Sequence, residues 1–153
     1  AALPDHPDHK GLYGVATRRN SYMGYGGTQE YVDSVADTVL AFMIEKKGAV
    51  DNLEQILSEE RVEMVQWGGA DFSMNIGQPR DMSHPEVVAA KKKTFEVAIN
   101  MGVPPRAEIE SADETKEYLD MGVRHFSVGT DITILHGYWK REGEQVIRAL
   151  EGE

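Results

Sequence analysis

An apolar run that stops on two glycines and an acid places the tightest constraint on this chain. Val62, Met64, Val65 and Trp67 are followed by Gly68-Gly69-Ala70-Asp71. A buried strand ends in this way when its backbone must turn tightly or approach a ligand. An earlier continuous apolar run, residues 39–44, ends on a single acid, Glu45. Between the two runs, Ala49, Leu53, Ile56 and Leu57 share one face of a helical segment, 49–57. The pattern predicts strand–Glu, helix, strand–Gly-Gly-Ala-Asp. That is one βαβ unit with an acid at the same end of both strands.

Neighbouring parallel strands lie about 4.8 Å apart, so two short carboxylates at their ends can share one hard cation. The carboxyl ends of strands are also where α/β proteins bind ligands. Taken singly, either acid is accounted for as a helix N-terminal acid favoured by the helix dipole. The matched pair beside a double glycine points instead to a site, with Glu45 and Asp71 as metal ligands.

The rest of the chain repeats the strand–helix rhythm. Residues 29–37 predict a short helix with Tyr31, Val32 and Val35 inward, and 74–83 a loop. His84-Pro85-Glu86 opens a long helix reaching about Met101, with Val88, Phe95, Ala98 and Ile99 as its buried stripe. Residues 104–110 hold a third strand, weakened by Pro104, Pro105 and Arg106. Ser111 or Asp113 caps the next helix, which packs Tyr118, Leu119 and Met121 inward. Residues 124–129 form a fourth strand, in which His125 reads as a hydrogen-bonded structural histidine. Residues 132–150 are helical, with an interruption expected near Gly137 or Gly143. Their Ile134, Leu135, Tyr138, Trp139, Val146, Ile147 and Leu150 exceed what one small core needs, which suits docking on another subunit.

The first residues carry less. Residues 1–10 read as a proline-broken arm or loop, and His6 and His9 lack the further ligands of a metal site. Residues 11–16 read as a short strand or extended connection. Residues 17–28 form a glycine-rich loop with Arg18-Arg19, Tyr22 and Tyr25; such a loop can cradle an anion, but a flexible surface loop is the better reading of the sequence. The net charge of −10 and the absence of a basic cluster exclude nucleic acid as an expected partner, Lys91-Lys92-Lys93 reading as a solvated helix face. No apolar run approaches the ~20 residues of a membrane span, and no signal peptide is visible. The chain has no cysteine, which is compatible with a cytoplasmic location. It begins at Ala1 rather than Met, so an N-terminus other than the start of the gene product is expected.

Four strands alternating with helices have the rhythm of an α/β fold of the (β/α)8 TIM-barrel type, whose closed form has eight strands and ~250 residues. The 153 residues are read as a single domain, 1–153, supplying about the last four β/α units. Across these units, the segments IEKKGAVDNLEQIL, VQWGGADFSMNIG, HPEV, AINMG and YLDMGVRHFSVGTD resemble the C-terminal half of the HpcH/HpaI aldolase family. That family includes 4-hydroxy-2-oxoheptanedioate and 2-dehydro-3-deoxyglucarate aldolases.

The resemblance implies a metal-dependent class II aldolase, a carbon–carbon lyase that cleaves or forms 4-hydroxy-2-oxo acids through a pyruvate enolate. Glu45 and Asp71 would bind a divalent Mg²⁺, Mn²⁺ or Co²⁺ ion, and the backbone at Gly69, Ala70 and Asp71 would hold the carboxylate of pyruvate. The chemistry is Lewis-acid rather than Schiff-base, so Lys46 and Lys47 are not nucleophiles. The partners implied are pyruvate with an aldehyde or 4-hydroxy-2-oxo acid, and copies of the chain in a homo-oligomer. Two positions depart from the family pattern. Gly69 stands where Pro is usual, and Lys46 stands where Thr or Ser follows the metal-binding Glu. The general-base histidine and substrate-orienting arginine are expected on strands N-terminal to these, and His84, His125 and His136 match neither, so no catalytic residue is assigned within the chain. Two alternatives stand beside this reading: an enzyme like malyl- or citramalyl-CoA lyase or the citrate lyase β-subunit, and a non-catalytic half-barrel subunit.

Overall fold

The computed structural model describes residues 5–12, 14, 27–59 and 61–152. The chain divides into two compact units, residues 1–41 and 42–153. In the first, β1 (Asp5–His6) and β2 (His9–Lys10) pair antiparallel, with His6 opposite His9. Residues 5–10 of the predicted arm therefore form a small hairpin. Helix α1 (Gln29–Ala36) starts where the Thr28 hydroxyl accepts the Tyr31 N–H at 3.2 Å. Tyr31 and Val35, one turn apart, are buried while Val32 is half-buried. The Tyr31 hydroxyl donates to the Gly14 carbonyl at 2.5 Å. Most of the predicted extended segment 11–16, and the glycine-rich loop with Arg18, Arg19, Tyr22 and Tyr25, lie outside the described residues.

The second unit is built on a sheet of order β3–β4–β5–β6, comprising Ala41–Ile44, Met64–Trp67, Pro105–Ile109 and His125–Val128. β5 runs parallel to both its neighbours, with Gln66 opposite Arg106 and Ile109 opposite Val128. Two of the predicted strand-ending glycines carry ladder bonds beyond the strands: Gly68 N–H donates to Ile44 O at 3.0 Å, and Gly129 N–H to Ile109 O at 2.8 Å. Pleating sends alternate residues to opposite faces. Ile44, Val65, Ala107 and Ile109 are accordingly buried in the core.

Helices connect and cover the strands: α2 (Lys47–Asp51), α3 (Leu53–Leu57), α4 (Gly69–Asn75), α5 (Pro85–Asn100), a 3-10 turn (Ala112–Glu114) leading into α6 (Thr115–Asp120), and α7 (Asp131–Glu151). Ile44, Val50, Leu53, Val65, Phe72 and Val87 belong to the main apolar cluster. Phe95, Ala107 and Val123 form a second cluster, against which Trp67, Tyr118 and Phe126 pack. The architecture is α/β, a four-stranded portion of the (β/α) barrel type.

Several elements differ from their sequence patterns for identifiable reasons. The single helix expected over 49–57 breaks at Asn52, whose side chain donates back to Gly48 O at 2.8 Å. Its inward face is as expected, with Leu53 and Leu57 buried and Ala49 and Ile56 half-buried. The stripe of α5 is rotated from the one predicted. Val87, Ala90, Thr94, Phe95 and Ala98 are buried, whereas Val88 and Ile99 are exposed. Thr94 fits the stripe because its hydroxyl is satisfied by Ala90 O at 2.8 Å, a partner that a count of apolar residues overlooks.

Ser111 and Glu114 form a capping box at the turn before α6, while Leu119 is exposed rather than inward. His125 is exposed and makes no side-chain hydrogen bond among the described residues, unlike a structural histidine. α7 runs unbroken through Gly137 and Gly143, from the Thr130 cap to a left-handed Gly152. Its apolar side chains, Trp139 and Leu150 among them, are all exposed. Among the described residues, no helix is long and apolar enough to cross a membrane.

Candidate functional site

Glu45 is the first residue after β3 and follows buried Ile44, so the pleat turns it to the opposite face of the sheet, where it is half-buried. Gly68 follows β4 beside it. A Cβ added to Gly68 would stand 2.7 Å from Glu45 Cβ, 3.0 Å from Met43 Cγ and 3.1 Å from Glu45 Oε2. Gly68 has an ordinary negative φ of −102°. The glycine is therefore required by close approach rather than by backbone conformation.

The second glycine begins a helix rather than extending a turn. The first bond of α4 is Phe72 N–H to Gly68 O, 3.0 Å, and the N–H groups of Gly69, Ala70 and Asp71 precede it. Asp71 lies in the first turn, exposed. The structure thus places Glu45 against Gly68, at the strand end that leads into the helical turn bearing Asp71. Neither Glu45 nor Asp71 has a hydrogen-bond or ion-pair partner among the described residues, and no third His, Asp or Glu joins them to form a larger ligand group. Two hard carboxylates fit a divalent cation that is content with one or two protein oxygens and takes the rest from water and substrate.

The neighbouring lysines differ in role. Lys47 Nζ lies 2.6 Å from Glu86 Oε1, and this hydrogen bond and charge raise the Lys47 pKa while lowering that of Glu86. The Lys47 N–H donates to Asn75 Oδ1 at 2.9 Å, tying the start of α2 to the end of α4. Lys47 is thus held as an ammonium, not the free amine that a Schiff base requires. Lys46, at the N-cap of α2, is exposed.

Three further residues shape the junction in ways the sequence did not show. Ser73 is fully buried; its hydroxyl donates to Ala70 O at 2.7 Å and accepts the Arg80 N–H at 3.0 Å. It fixes the first turn of α4 to the loop that follows. Trp67 stacks at a tilt on Phe72, ring centroids 4.9 Å apart, and a Cβ on Gly69 would meet its Nε1 at 2.8 Å. Met82 Sδ would lie 3.2 Å from the same Cβ. Trp67 and Met82 therefore occupy the space that a proline ring at position 69 would need. A serine four residues beyond the glycine pair is too common a pattern to have flagged Ser73.

A cleft of about 430 Å³ opens beside Gly69 and Ala70, between α5, α6 and the ends of β4 and β5. Elsewhere on the sheet, Gln66 is buried and satisfied, donating to Glu108 Oε1 at 2.5 Å and accepting from Arg106 Nε at 2.8 Å. These cross-strand partners form a closed polar network.

Comparison with known proteins gives concordant matches. Residues 9–136 match the family model described as HpcH/HpaI aldolase/citrate lyase. A curated relative, the 4-hydroxy-2-oxo-heptane-1,7-dioate aldolase of Escherichia coli, is 31% identical over 126 residues, 82% of this chain and 48% of the relative. This chain therefore spans about half the length of the curated relatives it matches. A crystal structure of a HpcH/HpaI aldolase/citrate lyase family protein from Burkholderia cenocepacia superposes with a TM-score of 0.75 at 24% identity, covering 96% of this chain and 57% of that one. The HpcH/HpaI aldolase from Desulfitobacterium hafniense gives 0.66 at 24% identity, over 78% of this chain and 46% of that one.

Proposed function

This chain belongs to the HpcH/HpaI aldolase/citrate lyase family, and we propose that it carries the metal- and pyruvate-binding end of a carbon–carbon lyase. The reaction is cleavage of a 4-hydroxy-2-oxo acid to pyruvate and an aldehyde, or its reverse. One observation carries the reading: Glu45 lies against Gly68 at the junction that opens into the turn bearing Asp71, and neither acid has a protein partner among the described residues.

A bound Mg²⁺, Mn²⁺ or Co²⁺ supplies Lewis-acid polarisation of the 2-oxo group and neutralises developing negative charge. Glu45 and Asp71 supply the two carboxylate oxygens that hold it. The N–H groups of Gly69, Ala70 and Asp71 donate to the carboxylate of pyruvate and fix its orientation. Ser73 keeps those amides in place through Ala70 O and the Arg80 N–H. Lys47, paired with Glu86, stays protonated and out of the chemistry. His84 caps α5, its Nδ1 accepting the Glu86 N–H at 3.3 Å. The exposed apolar side chains of α7 support assembly with another copy of the chain.

The test is release of pyruvate from a 4-hydroxy-2-oxo acid. The expected result is activity removed by EDTA, restored by Mg²⁺ or Mn²⁺, and lost in Asp71→Ala. Release that persists without metal contradicts the reading.

A further inference from the structure

Two histidines that the lyase reading does not use meet in the first unit. β1 and β2 are joined by Pro7-Asp8, and their register sets His6 directly opposite His9. Directly opposed residues of an antiparallel pair point to the same face, with Cβ atoms about 4.5–5.5 Å apart. The two half-buried imidazoles accordingly lie side by side, ring centroids 5.9 Å apart and planes tilted by 49°. Their spacing in the sequence gives no reason to couple them. The hairpin supplies it.

Each ring keeps a nitrogen for a ligand. His9 makes no side-chain hydrogen bond among the described residues. His6 Nδ1 faces the turn, accepting the Asp8 N–H at 3.3 Å and lying 3.6 Å from Asp8 Oδ2, so its Nε2 is left over. When a metal takes Nε2, Nδ1 carries the proton and can donate it to the Asp8 carboxylate, the outer-shell contact that orients metal-bound histidines. In a tetrahedral site with bonds of about 2.0–2.1 Å the centres of two imidazoles stand about 5 Å apart. Side-chain torsions suffice to close the present 5.9 Å to that distance. Imidazole suits Zn²⁺, Cu²⁺ and Ni²⁺, whereas carboxylates suit Mg²⁺ and Mn²⁺. No third His, Asp or Glu joins the pair among the described residues, so water completes the shell.

We propose that His6 and His9 form a two-histidine site for a late divalent transition metal, Ni²⁺, Cu²⁺ or Zn²⁺, which staples β1 to β2. A two-stranded hairpin is marginal on its own, and an ion that binds only the paired form shifts the equilibrium toward it. The site shares no residue with the one assigned to the lyase and stands independently of that reading. Its test is a calorimetric Ni²⁺ titration of the full chain carrying Asp71→Ala, which removes a carboxylate of the other site. One saturable Ni²⁺ site per chain is expected. His6→Asn and His9→Asn should each weaken it at least about tenfold, and the double variant should be little worse than either, as for two ligands of one ion.

Ni²⁺ affinity that neither substitution changes overturns the proposal. So does a loss confined to one of the two variants, which describes a lone histidine. Electron paramagnetic resonance of Cu²⁺ bound to the same protein gives a readout that does not depend on the folding of a variant. Two imidazole nitrogens coupled to one Cu²⁺ are expected, and a spectrum with a single coupled nitrogen overturns the pair.

Discussion

Glu45 and Gly68 stand so close that a single methyl group on the glycine would lie 2.7 Å from the Cβ of the glutamate and 3.1 Å from its Oε2. The glycine is the floor on which the carboxylate rests. Gly68→Ala must therefore push Glu45 away or shift the end of β4, since Gly68 also donates to Ile44 O. Over-packing of this kind costs about 1–3 kcal/mol. Thermal unfolding should show that loss, and Mn²⁺ affinity should fall with it. A Gly68→Ala protein with unchanged stability and affinity would mean that Glu45 is not held against the strand end.

The two acids should separate binding from folding. Asp71 is exposed and unpartnered among the described residues, so Asp71→Ala should leave stability within about 0.5 kcal/mol. Metal affinity should drop in the same protein by at least about tenfold, or about 1.4 kcal/mol. Chemical denaturation alongside metal titration checks both halves.

Ser73 is a positioning residue with a structural signature. Ser73→Ala leaves the part-buried Arg80 N–H and the Ala70 carbonyl without their shared partner. The expected cost is about 1–3 kcal/mol. Mn²⁺ titration should also show weaker binding in Ser73→Ala, and Ser73→Thr, which retains a hydroxyl, should recover part of that affinity.

The Lys47–Glu86 pair predicts a pH profile with a definite sign. The pKa of Lys47 is raised by the Glu86 hydrogen bond, so its contribution is complete below the unfolded-state lysine pKa of about 10.4 and is lost as pH rises through the folded value. The pKa of Glu86 is lowered by the same bond, so its contribution is present above about 4.3 and is lost as pH falls through the folded value. Glu86→Gln should flatten both arms of stability against pH. A profile unchanged by that substitution would show that the contact makes no contribution in solution.

The glycines of α7 allow a gain. Nothing lies within 4 Å of a Cβ at Gly137 or Gly143, and both are helical, so alanine at either should stabilise the helix by about 0.5–1 kcal/mol. Circular dichroism melting reads the gain, and a loss at either site would place a contact there.

What the sequence revealed and what it hid follow one physical division. Local backbone chemistry was legible: the glycine ends of β4 and β6, the Ser111 cap and the strand-ending Glu45 are each written in one or two residues. The approach of Glu45 to Gly68 was also legible, because two matched strands bring their ends together without any side-chain detail. Hydrogen bonds that satisfy polar atoms inside the fold were not. Thr94 in the stripe of α5 and Ser73 beneath α4 are buried through partners fixed only in three dimensions. The break at Asn52 and the continuity of α7 through two glycines show the same limit, since there a side-chain bond or helix length outweighs residue propensity. Trp67 was read as strand core, and its relation to Gly69 emerged only from the space between them.

The most direct test of the account is a Mn²⁺ titration followed by electron paramagnetic resonance, on the unsubstituted chain, Glu45→Gln, Asp71→Asn and the double variant, each with pyruvate present. The account predicts one Mn²⁺ per chain, affinity reduced at least about tenfold by either single change, and a double variant little worse than each single one, because both acids serve one ion. Unaltered Mn²⁺ affinity in either single variant would contradict it.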